Sequence, residues 1–257
     1  NCPQCNSILT KRSVTKLRET KFDTLTGKPQ SIQKTYPVLI NYSVGNNTYQ
    51  KKPDIDDLNL IEKIESEKIK YWCPTFYIPK GDKMGDPLAK GFTHIHHFYT
   101  KRALLALSKL YNSGYAYVEK GQSHALFLIE QLTLGMSKIA RYVPTHYSQV
   151  NQYLSGTLYV GSQVVDVSPL YILKGKISRL PKAFNLIKER EVNSLQSATE
   201  LSQIASLSID YIFTDPPFGA NLMYSELNLL WESWLKIRTN SKDEAIENKC
   251  QNKSTLD

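Results

Sequence analysis

The stretch Ser208-Ile209-Asp210-Tyr211-Ile212-Phe213-Thr214-Asp215-Pro216-Pro217-Phe218-Gly219 constrains this chain more than any other. Ile209 to Phe213 is a short apolar, β-branched and aromatic run, the composition of a buried strand. It stops at two successive prolines. Proline has no N–H to give a sheet ladder, and it restricts the residue before it to extended geometry. The expected product is a stiff loop at the carboxyl end of a strand, with the Asp215 carboxylate and the Phe218 ring fixed beside it. In open α/β sheets, ligands bind at that end of the strands. An ordinary strand exit, with Asp capping a turn, is the alternative.

Asp215-Pro216-Pro217-Phe218 resembles the catalytic motif of the amino-group DNA methyltransferases: Asp, Asn or Ser, then Pro-Pro and an aromatic residue. The resemblance implies a class I, Rossmann-like α/β core, S-adenosylmethionine as cofactor and DNA as partner. The chemistry explains the residue types. The exocyclic amine of adenine or cytosine has its lone pair delocalised into the ring. A carboxylate (Asp215) and a backbone carbonyl (Pro216) that accept both amine hydrogens draw the nitrogen towards tetrahedral geometry and free that pair to attack the methyl. Pro217 stiffens the loop, and Phe218 would stack on a flipped base. A charged, preorganised acceptor is the stronger one.

Charge is unevenly spread. The formal net charge is +8, and residues 1–52 carry nine Lys/Arg against Glu19 and Asp23. Residues 191–235 hold six acids and no Lys or Arg. A basic arm beside an acidic segment suits a protein that holds phosphates in one place and a cationic sulfonium in another; a solvated loop surface would look the same. Apolar content of 41% argues against wholesale disorder. No apolar run is long enough to span a membrane, and no secretory signal opens the chain, so a cytoplasmic location is expected. The four cysteines (Cys2, Cys5, Cys73, Cys250) are unequally spaced and predict no disulfides.

Three segments are expected: a basic module over 1–70, a linker over 71–92 and a partial catalytic domain over 93–257. Cys2-Pro3-Gln4-Cys5 has the spacing of half a tetrahedral zinc site, so the module is expected to be zinc-ribbon-like, with a structural zinc on Cys2 and Cys5. A plain turn is the alternative. Tyr36–Val44, Gly45-Asn46-Asn47 and Thr48–Lys51 predict a β-hairpin. Pro53-Asp54 predicts a helix to about Lys68, with Leu58, Ile61 and Ile64 on its apolar face. The run through Arg102 is expected to lead into a helix, with Leu104, Leu105, Leu107, Leu110 and Tyr111 as its buried face and Gly114 ending it. Another is expected over 123–142, a strand at Thr157–Val160, and a basic, partly helical stretch from Lys174 to Arg190. Asn221 to Asn228 and Leu229 to Ile237 read as helix. Asn248 to Asp257 is polar and without pattern.

Thr93-His94-Ile95-His96-His97-Phe98-Tyr99-Thr100-Lys101-Arg102 puts three His in four residues. No carboxylate stands at helical spacing from them, so a structural or DNA-facing role outweighs a metal. Alternation would set His94 and His96 on one face of an extended segment. This run, with Tyr224–Asn228 and Trp231–Trp234, resembles one subgroup of adenine-specific DNA methylases. The resemblance assigns Ser197, Glu200, Thr214 and Asp215 to the cofactor, Gln196 and Ser197 standing where relatives carry Gly-Asp. It assigns Phe218, Tyr224 and Asn228 to the target base or DNA, and it implies a restriction or accessory subunit as partner.

The aromatic-x-Gly-x-Gly loop by which such enzymes hold the cofactor does not occur in residues 1–257. Both chain ends read as cuts within a longer protein. The expectation is a fragment that binds the cofactor weakly and is inactive alone. The function expected of the whole is methyl transfer to adenine N6. The alternatives are a cytosine-N4 enzyme, a relative acting on RNA or protein glutamine, a non-catalytic nucleic-acid-binding remnant, and a zinc-ribbon scaffold fused to an α/β domain.

Overall fold

Two hairpins open the chain in the computed structural model, which describes all residues except 1, 3, 11–13, 117–121, 151–155, 157, 187–199, 216–218, 221 and 255–257. Strands β1 (Arg18–Asp23) and β2 (Lys28–Gln33) pair antiparallel, Asp23 opposite Lys28. Their loop closes because Asp23 Oδ1 accepts the Leu25 N–H at 2.9 Å and Gly27 takes a left-handed φ of +68°. Sequence analysis missed this hairpin. The signal was there: an Asp four residues before a Gly.

The second hairpin agrees with expectation at its turn. Strands β3 (Ile40–Val44) and β4 (Asn47–Lys51) are joined by Gly45-Asn46, with Gly45 at φ +60° as a II′ turn requires. The ladder begins at Ile40 rather than Tyr36, since Pro37 has no N–H to extend it. These two small antiparallel sheets make the fold mixed α and β.

Helix α1 (Ile55–Ser66) starts where Asp54 predicts. The Asp54 carboxylate accepts the Asp57 N–H and the Asp57 carboxylate accepts the Asp54 N–H, both at 3.0 Å. No residue of α1 is buried, so capping rather than packing holds its first turn. Asp54→Ala should therefore lower the midpoint of urea unfolding.

The core lies further on. Helix α2 (Gly85–Ala89) is followed by a 3-10 turn (Ile95–Phe98), then α3 (Lys101–Tyr115) and α4 (Gln122–Thr133). Thr100 caps α3 by accepting the Ala103 N–H; of the expected face Leu104, Leu107 and Tyr111 are buried, while Leu105 and Leu110 are only part-buried. Gly114 does not terminate α3. It stays inside, because a Cβ there would stand 2.7 Å from Ile129 of α4, so its bareness permits close helix approach. Helix α4 ends at Thr133 instead of running to 142. Beyond it, Lys138 N–H bonds the Phe98 carbonyl at 2.6 Å and Ser137 bridges Tyr99, so a tertiary pairing replaces the helical one. Residues 71–92 are not a plain linker: they include α2 and contribute Cys73, Ile78, Met84 and Phe92 to the core.

Helix α5 (Pro169–Phe184) carries Lys174, Lys176, Arg179 and Lys182 with no residue buried. Helices α6 (Tyr224–Leu227) and α7 (Leu229–Leu235) return to the core through Leu227, Leu230 and Trp234. The expected strand at 157–160 is absent among the described residues. Leu158 and Val160 are buried in irregular chain, and Val160 N–H bonds Asp86. The end is not patternless either: Asn248 is fully buried, donates to Glu226 at 2.8 Å and pairs with Lys253.

The largest departure concerns Ile209–Phe213. The segment belongs to no strand, and Tyr211, Ile212 and Phe213 are 74–81% exposed. A β-rich apolar run becomes a buried strand only where neighbours offer ladders and covering layers, and the described residues offer it neither. Among the described residues no helix is long and apolar enough to cross a membrane.

Candidate functional site

The Asp-Pro-Pro-Phe loop is partly within view. Thr214 and Asp215 are exposed, in chain without regular structure, as is Glu200. Pro216, Pro217, Phe218 and Ser197 lie outside the described residues. Tyr224 begins α6 and is half exposed, and Asn228 joins α6 to α7 and is part-buried. The motif is thus followed at once by a segment anchored in the core, where Met223 and Leu230 are buried.

Two of the six acids near it have structural work. Glu226 is buried and accepts the Lys83 N–H at 2.7 Å, the Asp82 N–H at 3.2 Å and the Asn248 amide. A Cβ on Gly81 would collide with this carboxylate, which is why the chain approaches it with glycine. Glu232 accepts the Thr239 N–H at 2.8 Å. Buried carboxylates require such donors, and neither is left to meet a cationic cofactor.

The basic arm is likewise partly engaged. Arg18 donates to Ser31 and to the Ala89 carbonyl, Lys21 pairs with Glu19, and Lys51 bridges Asp54 and Asp57. Arg18 also passes close to Gly91, whose φ of +90° and missing side chain let β2 lie against the core. This docking fastens the first hairpin.

Cys2 and Cys5 do converge. Cys2 N–H bonds the Ser7 carbonyl at 2.8 Å, Asn6 N–H bonds the Cys2 carbonyl at 2.9 Å, and Asn6 turns left-handed at φ 56°. The Cys5 thiol is held below its ordinary pKa by the Ser7 hydroxyl first, then by the Ser7 N–H and the Cys2 thiol. Two thiols facing each other, one favoured as thiolate, fit half of a zinc site. No third ligand joins them among the described residues. Cys73 is buried and its thiol is pushed up to about 11 by burial, as suits an inert core residue.

The histidine run holds the best-defined cluster of titratable groups, and its partner is the residue sequence analysis passed over. His96 Nε2 lies 2.9 Å and His97 Nε2 3.2 Å from Asp23 Oδ2, which also accepts the Thr26 hydroxyl at 2.6 Å. The segment is not extended: it turns as a 3-10 element, so His96 and His97, not His94 and His96, face one partner. The three ligand atoms lie within 4.8 Å of one another, close enough to surround an ion. The proton positions argue otherwise. His97 Nδ1 receives the Thr93 N–H at 3.1 Å and the His94 N–H at 3.2 Å, so it must be the unprotonated nitrogen. Its Nε2 then carries the hydrogen and points it at Asp23. A metal ligand needs the opposite tautomer, with Nδ1 protonated towards an acceptor. The cluster is therefore a carboxylate saturated by donors, tying the first hairpin to the core. Burial would raise Asp23, yet the hydrogen bonds from Thr26, His96 and Leu25 outweigh it and hold the carboxyl well below the usual range.

Comparison with known proteins adds no relative: no protein-family model, no curated protein and no solved structure matches this chain.

Proposed function

We propose that the chain is the catalytic and target-binding portion of an S-adenosylmethionine-dependent DNA methyltransferase acting on an exocyclic amine, adenine N6 before cytosine N4. The observation that carries it is Asp215: an exposed carboxylate next to Pro216-Pro217-Phe218, immediately before a segment locked into the core at Met223, Leu227 and Leu230. An acceptor that must meet a base turned out of its duplex has to be accessible and anchored close by. Tyr224, half exposed at the start of α6, and Asn228 are its companions on the target side. Within the same proposal DNA lies against the basic arm, and Cys2 and Cys5 hold a structural zinc.

The unburied Lys174, Lys176, Arg179 and Lys182 of α5 favour a second reading, a nucleic-acid-binding module without catalysis. The two separate in one experiment. The protein and its Asp215→Ala variant are given labelled S-adenosylmethionine and DNA, with DNA binding measured alongside. Label in adenine that disappears in the variant, with binding unchanged, is the expected result. Salt-sensitive binding with no label from either protein would leave only the binding module.

A further inference from the structure

Three aromatic rings surround one ammonium just beyond the end of α7. Lys236 Nζ stands 4.5 Å from the ring centre of Trp72, 5.0 Å from Tyr115 and 5.5 Å from Tyr111. Among the described residues no carboxylate is paired with it. The negative faces of the rings are therefore what hold the cation.

The rings are fixed in advance. Tyr111 and Tyr115 project from the last turns of α3, 5.4 Å apart, and Trp72 lies 4.9 Å from Tyr111. Trp72 is braced edge-on by Trp234 at 6.0 Å, and Trp234 is itself tied to the Tyr99 hydroxyl. Tyr111 is buried and forms the floor, while Trp72 and Tyr115 are 38% and 50% exposed and form an open rim. A preformed box of this kind loses little entropy when a ligand enters.

Its occupant is poorly suited to it. Lys236 follows α7 in a left-handed conformation, φ 59°, which favours glycine and strains a lysine. A primary ammonium is compact and strongly hydrated, so it gives up much on entering a ring-walled box. An onium group bearing methyls is larger and weakly hydrated, and its methyls can touch all three rings.

We infer that Trp72, Tyr111 and Tyr115 form a binding site for a methylated onium cation, and that Lys236 fills it as a displaceable plug. The site is independent of the Asp215 chemistry. Both quaternary ammonium and sulfonium groups have the required charge and shape.

Lys236→Gly removes the plug and supplies the residue the left-handed cap favours, so the fold is retained. Binding of tetramethylammonium, trimethylsulfonium and the neutral isostere 3,3-dimethylbutanol would be followed by tryptophan fluorescence. The expected result is saturable onium binding to Lys236→Gly, roughly tenfold tighter than to the natural chain and tenfold tighter than the neutral isostere. Adding Tyr115→Ala, at an exposed helix end, should weaken it severalfold. A peptide carrying trimethyllysine and free S-adenosylmethionine then distinguish an ammonium from a sulfonium source. Equal binding of the neutral isostere, or no saturation in Lys236→Gly shown folded by circular dichroism, would overturn the proposal.

Discussion

Trp234→Ala is expected to destabilise the chain by about 3–5 kcal/mol, among the largest effects a single core truncation produces. Trp234 is 1% exposed and joins three elements. Its ring meets Tyr99 edge-on at 5.8 Å, Trp72 at 6.0 Å and Tyr111 at 6.0 Å. Truncation removes these contacts and leaves a void between α7, α3 and the chain before α2 that packed side chains cannot fully close. It also strands a polar atom. Trp234 Nε1–H donates to the Tyr99 hydroxyl at 3.0 Å, a buried pair, and burial pushes that phenol's pKa up. Trp234→Phe keeps an aromatic ring but not the donor, and should lose about 1–3 kcal/mol from the orphaned hydroxyl and the smaller ring. Urea unfolding followed by circular dichroism measures both. A loss below 1 kcal/mol for Trp234→Ala would mean that these rings do not form one packed unit.

The second large effect belongs to Asp23. Removing its carboxylate in Asp23→Ala leaves the Nε2–H groups of His96 and His97, the Thr26 hydroxyl and the Leu25 N–H without their acceptor. Both rings are buried, so water cannot replace it freely, and about 3 kcal/mol should be lost. Asp23→Asn is no rescue. Its amide presents hydrogens either to the two imidazole N–H groups or to Leu25, and each choice sets donor against donor.

The same cluster sets an acid limit on stability. Burial first, then the neighbouring His96, lowers His97 to about 4 from an ordinary value of 6.5, in spite of Asp23. The two N–H groups aimed at Nδ1 oppose protonation further. Between those values the unfolded chain binds the proton and the folded chain does not, so stability rises with pH across the window and falls on acidification. Spread over that interval, His97 contributes about 3 kcal/mol at neutral pH that is gone below pH 4. Asp23, depressed in the fold, acts in the same direction at still lower pH. Midpoints of urea unfolding from pH 7 to 4 should fall steadily, and the slope should flatten in His97→Gln. An unchanged slope in that variant would assign the acid sensitivity to other groups.

By itself the sequence determined what is settled within a turn or two of chain. The Asp54 capping box, the Gly45 turn and the buried stripe of α3 all depend on groups no more than four residues apart, so residue type and spacing suffice. Only the tertiary structure decided what needs a distant partner. His96 and His97 read as a bare histidine run until Asp23, more than seventy residues earlier, supplies the acceptor that fixes their protons. Gly114 reads as a stop until Ile129 shows that it is a close contact. Glu226 and Glu232 read as acids facing a site until backbone N–H groups from elsewhere claim them. Ile209–Phe213 has the residues of a strand, but a strand is a relation between chains, and apolar composition cannot create the neighbours that would bury it.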